Sequence, residues 1–434
     1  MGFYNTDNWP EKRNYYRWPW SSNDNPVQWL ETTDICNIHC KGCYRSHMEG
    51  HRPLETLMQE VDFCIRNRNI DTVCMAGGEP LIYPHIVELV EYIAGRGIKP
   101  NIITNCVRMT ESFISTLFEA GLYGFTCHVD MLQNRPENKD HKDEIGLMPL
   151  RQKMADMIYK VGRGRIYTTF NCTVYHENFK FIPDIVRWAR SNVGKVNGLD
   201  FITYRGIPIR DGVRWNVESE LRETRDGIQE KLGYTEADTS QIDITSVDVY
   251  NLLKDNFGDL YEPCAYLGGT GHIREYKWWA YAGVFDAHGT DYGFVGPRTM
   301  EFLQVLHHWV KGRYFMYLRT NRSPCLVIEL TAFLGDKKMR PLRRRLLKSL
   351  INPVNWLRPV YFQSVGMNQP PDLLENGMSS MCESCPDACV WEDSLVSSCR
   401  LDEYRRYGRL LNAICYAEDT DKRVEQGEME PARR

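Results

Sequence analysis

Between residues 27 and 206 the chain alternates short apolar runs with segments whose apolar residues recur every third or fourth position. The run Val27 to Thr33 reads as extended, and Leu57, Val61, Cys64 and Ile65 then share one side of a helix. Thr72-Val73-Cys74-Met75-Ala76 reads as a buried strand stopped by Gly77-Gly78. Ile86, Leu89, Val90 and Ile93 form the next helical face, ended by Gly95 and Gly97. A strand over 98–104, a helix through Phe113, Ile114, Leu117 and Phe118, and a strand over 124–130 follow. A helix around 154–161, a strand over 166–175, a helix over 181–189 and a strand over 199–204 complete six strand–helix units. Switching between these two periods is what strands joined by crossover helices produce, so the pattern predicts an α/β fold on a parallel sheet.

Outside that region the pattern weakens. Residues 1–25 carry Trp9, Trp18 and Trp20 among Asn, Pro and Arg without periodicity, and read as an irregular arm over the domain. The core is assigned to 26–215, an accessory region to 216–370 and a cysteine-rich extension to 371–434. Residues 207–260 read as charged and helical, with an acidic tract around Glu218 to Asp226. Residues 261–299, with Trp278 and Trp279, are aromatic and glycine-rich, and read as the aromatic core of the accessory region, with short strands or substrate-facing loops as the alternative. The stretch 337–358 begins with seven basic residues in twelve, while Leu342, Leu346, Leu347, Leu350 and Ile351 keep helical spacing up to Trp356-Leu357. Such a helix suits a membrane surface, a solvated face or an anionic patch. Leu401 to Tyr416 reads as an amphipathic helix, and 418–434 as a loose tail.

Composition narrows the class. The 434 residues are 42% hydrophobic and 25% charged, as in ordinary globular proteins, and a net charge of −4 gives no reason to expect nucleic acid as a partner. No run of 18 apolar residues is present, and 1–25 lacks the apolar centre of a signal peptide. The expectation is a cytoplasmic protein, with contact at the inner face of a membrane if the basic helix acts as one. Fifteen cysteines in a reducing compartment point to metal rather than disulfides. Cys64, Cys74, Cys106, Cys127 and Cys172 sit in apolar or strand-like contexts that suit packing.

The chemistry concentrates in Cys36-Asn37-Ile38-His39-Cys40-Lys41-Gly42-Cys43. Three thiolates so close can wrap one cubane while leaving its fourth iron open to a small molecule. A zinc site would want a fourth ligand, for which His39 is the candidate. Gly77-Gly78-Glu79-Pro80 follows the second strand; glycines would let the backbone approach a ligand, and Glu79 offers a carboxylate to an ammonium. Together, CxxxCxxC and the GGEP segment resemble the radical S-adenosylmethionine (radical SAM) enzymes. That resemblance implies a partial (β/α)6 TIM-like barrel, a [4Fe–4S] cluster on Cys36, Cys40 and Cys43, and S-adenosylmethionine cleaved to a 5′-deoxyadenosyl radical. It also implies a reductant of flavodoxin or ferredoxin type. One departure is Gly42, where the family usually has an aromatic residue; Tyr44 is the candidate replacement beside the adenine.

By the same resemblance the strand ends supply further contacts. Asn105, with Cys106 where the family often has glycine, His128, Asp130 and Asn171 are assigned to the cofactor, and Gln133, Arg135 and Arg205 to cofactor or substrate. Cys382, Cys385, Cys389 and Cys399 can hold a second [4Fe–4S] cluster, as in family members with auxiliary clusters, or a zinc ion. No catalytic residue is assigned. The barrel is most similar to the radical SAM enzymes that adenosylate hopanoid lipids. With the basic helix, this suggests modification of an unactivated carbon in a lipid or isoprenoid. The alternatives are a maturase, dehydrogenase or dehydratase acting on a peptide, sugar or other soluble metabolite, and a non-catalytic iron–sulfur sensor or scaffold.

Overall fold

The computed structural model describes residues 9–45, 50–137, 143–205, 213–218, 221–223, 244–258, 261–271, 275–319, 329–352, 359–373, 379–410 and 412–415. The tail 418–434, Trp356-Leu357 and most of the acidic tract lie outside them.

Six parallel strands run side by side in chain order: β1 (Val27–Thr33), β2 (Thr72–Gly77), β3 (Lys99–Thr104), β4 (Gly124–His128), β5 (Tyr167–Val174) and β6 (Gly198–Thr203). Helices α1 (Leu54–Asn67), α2 (Ile86–Gly95), α3 (Glu111–Glu119), α4 (Met148–Gly162) and α5 (Ile182–Arg190) connect them. These are the six units the alternation predicts, and their arrangement agrees with the partial barrel that the resemblance implies. Every residue of β5 is buried, as in a parallel strand covered on both faces. The helices seal the outer face with the residues the periodicity picked out, among them Leu57, Val61, Leu89, Val90, Ile114 and Leu117. The buried Cys64, Cys74, Cys106, Cys127 and Cys172 belong to this interior.

The sheet does not stop at β6. Beyond residue 244 come α6 (Ser246–Phe257), β7 (Ala265–Leu267), β8 (Trp278–Phe285), β9 (Asp291–Phe294), α7 (Pro297–Lys311), α8 (Arg340–Ile351) and β10 (Tyr361–Asn368). β10 lies parallel to β6, β8 antiparallel to β10, β7 antiparallel to β8, and Tyr16–Arg17 parallel to β7. The aromatic stretch therefore extends the barrel sheet: Trp279, Tyr281 and Phe285 join the same core as the six units. The expected helical character of 207–260 holds for α6 alone among the described residues. Val213–Glu218 and Leu221–Glu223 are strands, and the former pairs with Asn412–Cys415.

The cysteine-rich extension spans the seam between the two sheet edges. A hairpin of β11 (Ala388–Trp391) and β12 (Ser394–Ser397) packs beside β1. Nearby, Asn25 Nδ2 donates to Ser384 O (3.0 Å) and Arg68 Nη2 to Cys385 O (2.5 Å). At the other edge Cys382 bridges to Gly269, and Arg17 Nη2 meets Glu383 Oε2 at 2.8 Å. α9 (Leu401–Tyr407) follows. The helix expected to reach Tyr416 ends at Gly408, whose φ of 69° is the left-handed stop that glycine favours.

The basic stretch forms α8, but its apolar side is spent inside the protein. Met339, Leu342 and Leu346 are buried with Trp278 and Phe362 in a second core. Arg345 pairs with Glu329, and Lys338 with Glu262. Leu347 and Ile351 remain exposed, which is less than the continuous apolar face a membrane-surface helix needs. Among the described residues no helix is long and apolar enough to cross a membrane.

Candidate active site

The C-terminal ends of β1 to β6 face one cavity of about 250 Å³, and the loop after β1 brings Cys36, Cys40 and Cys43 to its wall. Two sets of backbone contacts shape that loop. His39 and Cys40 pair antiparallel with Asn134 and Gln133, from the loop after β4. Gly78 N donates to Thr33 O at 2.6 Å and Glu79 N to Ile35 O at 2.9 Å, which zips the loop onto the end of β2. The glycines serve this zipper. A Cβ on Gly77, whose φ is 119°, would lie 2.3 Å from Thr33 O, and one on Gly78 would lie 2.0 Å from Ile35 O. The motif alone assigns them to a ligand; in the fold it is the cysteine loop's own backbone that they admit.

Glu79 is 1% exposed and aimed by three donors: Thr104 Oγ1 (2.7 Å), Leu81 N (3.0 Å) and Asn105 N (2.8 Å). Burial raises its carboxyl above the ordinary range, against the pull of these hydrogen bonds. A carboxylate has about four acceptor positions, so a place is left for a cationic donor. Asn105 Nδ2 reaches Asn37 Oδ1 (2.7 Å) and lies 3.8 Å from Cys36 Sγ. Next to it Cys106 has φ 66°, the backbone state glycine adopts freely.

Gly42, Tyr44, His128, Gln133, Asn171 and Arg205 also line the cavity. His128 Nε2 lies 3.0 Å from Asp130 Oδ2 and 3.1 Å from Thr173 Oγ1. Tyr44 donates to Glu31 Oε1 (2.9 Å). The space above Gly42 is taken by the rings of Tyr175 and Tyr204, which a Cβ there would meet at 2.7 and 3.0 Å. Arg205 is tied to Asp372 (2.5 Å), which Lys277 also meets (2.6 Å); these two cations hold the Asp372 carboxyl well below the usual range. Asp130, Arg135 and Pro80 stand behind the wall. Arg135 is buried and braces Gln133 Oε1 (3.0 Å) and Asn105 O (2.8 Å), while Pro80 opens the turn after Glu79.

From the extension, Cys382, Cys385 and Cys399 line the same cavity. Cys389 does not: its side chain is buried with Val396 and Leu401, packed by Trp29 and Trp391. A hydrogen bond with Cys382 draws the Cys385 thiol down to about 7, whereas burial pushes Cys399 up to about 12. Burial likewise raises Cys36, Cys40 and Cys43. Among the described residues no three His, Cys, Asp or Glu side chains are gathered closely enough to hold an ion. The fit to a cluster therefore rests on the soft thiol donors and their shared wall, and those donors suit iron–sulfur.

Sequence reasoning missed Trp18, Trp20, Asp200 and Asp387, which line this cavity or the chamber beside it, whereas Trp278, which lines both, falls in the stretch with a substrate-facing alternative. The available signal was Asp200, a half-buried acid inside the otherwise largely buried strand Gly198–Thr203.

Residues 30–189 match the model of the radical SAM superfamily. The tungsten-containing aldehyde ferredoxin oxidoreductase cofactor-modifying protein of Pyrococcus furiosus is 23% identical over 37% of this chain and 47% of its own length. The PqqA peptide cyclase of Bradyrhizobium diazoefficiens is 28% identical over 37% of this chain and 42% of its own. This chain thus spans less than half the length of either relative. The crystal structure of Streptococcus suis SuiB aligns with a TM-score of 0.35 and 18% identity, over 43% of this chain and 41% of that one.

Proposed function

Because this chain carries a radical SAM domain over residues 30–189, we propose that it is an enzyme modifying an unactivated carbon of a substrate held between two iron–sulfur clusters. The observation that carries this reading is that Cys36, Cys40 and Cys43 line the same cavity as Cys382, Cys385 and Cys399. When bound, the first cluster and S-adenosylmethionine supply reductive cleavage of the sulfonium to methionine and a hydrogen-abstracting 5′-deoxyadenosyl radical.

The chain's own residues bind, orient and exclude water. Cys36, Cys40 and Cys43 hold the first cluster. Glu79, fixed by Thr104 and the backbone of Leu81 and Asn105, accepts from the cofactor's ammonium. Asn105, His128 and Asn171 offer polar edges to its remaining groups, and Arg135 keeps Gln133 and Asn105 in position. Cys382, Cys385 and Cys399 would hold the second cluster, with Cys389, packed among Val396 and Leu401, outside its donor set.

A lipid or isoprenoid substrate draws little support from α8, whose apolar side is buried. A soluble peptide, cofactor precursor or other metabolite is favoured by that burial, and by relatives named for cofactor modification and peptide cyclisation.

The test is anaerobic reconstitution with counts of iron, sulfide and zinc, followed by reduction and assay of 5′-deoxyadenosine. About eight irons in wild type, falling to about four in Cys36/Cys40/Cys43→Ala and in Cys382/Cys385/Cys399→Ala, is the expected result. Release of 5′-deoxyadenosine should vanish in the first variant. No release from the fully loaded wild type would return the chain to a sensor or scaffold. About four irons with one zinc, the zinc lost in the second variant, would make the C-terminal site structural.

A further inference from the structure

Beside the cysteine-lined cavity the barrel interior holds a second chamber of about 110 Å³. The two have Trp29, Asn171, Trp278, Asn368 and Asp387 as common walls, so they lie side by side. Trp18 and Trp20, from the arm before β1, wall the far side, with ring centroids 4.6 Å apart and 7° between planes.

The chamber is apolar in its walls and unsatisfied in its polar atoms. Trp18 and Trp20 are 7% and 5% exposed, and their Nε1 atoms have no partner among the described residues. Asn171, 6% exposed, leaves its Oδ1 without a partner there, as do Asn368 Oδ1 and Asp200 Oδ1. Asp200 stands in register between Asn171 on β5 and Gly366 on β10. A Cβ on Gly366 would lie 2.6 Å from Asp200 Oδ1, so the glycine keeps that space open for the carboxyl.

No cation among the described residues pairs with Asp200, and burial alone pushes its carboxyl up to about 7. Arg68, the cation that acts on Asp387, is taken up by the carbonyls of Val27, Ser22, Cys385 and Pro386. A buried carboxyl without a counter-charge is costly unless something supplies one. Indole faces attract cations in the same surroundings.

We infer that this chamber receives a cationic amine of the substrate, with Asp200 and Asp387 facing the ammonium and Trp18, Trp20, Trp29 and Trp278 enclosing it. This rests on the proposed function insofar as the ligand is the substrate whose carbon lies toward Cys36, Cys40 and Cys43. It adds the substrate class. The ligand is an amine-bearing molecule that enters charged end first, and a neutral isostere would leave the carboxyls unmatched.

The experiment compares phenethylamine with phenethyl alcohol, alike in shape and different in charge. Both are titrated calorimetrically into the reconstituted full-length protein. The expected result is amine binding at least about tenfold tighter than alcohol binding, with the preference lost in Asp200→Asn. Equal affinities, binding of neither, or an undiminished preference in Asp200→Asn would overturn the inference. Should Asp200→Asn fail to fold, Asp387→Asn takes its place: loss of the wild-type preference in that variant supports the inference, and an undiminished preference overturns it. The binding needs no turnover, which separates the two claims. Release of 5′-deoxyadenosine without amine preference sinks the chamber alone, and amine preference without that release sinks the proposed function alone.

Discussion

Gly78 meets Ile35 so closely that a methyl group there would overlap the carbonyl oxygen. Gly78→Ala must push the cysteine loop off β2, at a cost of about 1–3 kcal/mol in stability by urea denaturation, with less iron retained after desalting. At the neighbouring Glu79, Thr104→Val removes one of the three donors on the carboxylate. S-adenosylmethionine should then bind about tenfold more weakly in equilibrium dialysis, with the fold kept. Asp200 gives a pH dependence. Its folded carboxyl titrates near 7 against 3.8 for an unhindered one, so its contribution to stability is complete below about pH 4 and lost as pH rises through 7. Asp387 and Tyr167 face it and add no positive charge. Wild type should therefore lose on the order of 4 kcal/mol relative to Asp200→Asn between pH 4 and 7 in denaturant titrations. These residues differ in how far the sequence exposed them. Glu79 was legible because a motif surrounds it. The reason for the glycines was not, since it lies in a carbonyl more than forty positions away in the chain. Asp200 was passed over because its significance depends on which strands flank β6.

Elements carry their own constraints. α9 is held to the cysteine loop through Arg45, two residues after Cys43. Its guanidinium meets Asp402 at 2.6 Å, Glu31 at 3.5 Å and Asp34, all four side chains being nearly unexposed. Removing it takes the cation from buried Glu31 and leaves Asp34 and Asp402 with Arg405 alone, at 3.4 and 3.8 Å, so Arg45→Ala should cost about 3–5 kcal/mol by chemical denaturation. The strands and helices from 27 to 204 were readable because each buries a face of fixed period. α8 shows the limit of that reading. Its amphipathicity was visible, but whether its apolar side met a membrane or the rest of the protein depended on Trp278 and Phe362, from distant strands. Arg343→Glu/Arg344→Glu should accordingly leave pelleting with anionic liposomes at the wild-type background level. Salt-sensitive wild-type binding that the variant loses would restore the membrane surface as a partner.

At the scale of the molecule, the sheet carries strands from both sides of residue 206, and the extension lies across its seam. The sequence showed six units but not the closure, because β10, β8 and β7 join the sheet through pairings that no local period announces. The bond from Arg68 to Cys385 joins residues 317 apart, and the ion pair from Arg45 to Asp402 spans 357. Both tie the first strand–helix units to a segment synthesised long after them. The seam beside the cysteine loop therefore stays uncovered until 379–407 arrives. Contacts of such separation slow folding, because loop closure must precede their reward. Order of assembly is thus written into this seam: metal loading of the first cysteine set has its widest access before residues 379–407 dock, and becomes a matter of small-molecule passage afterwards.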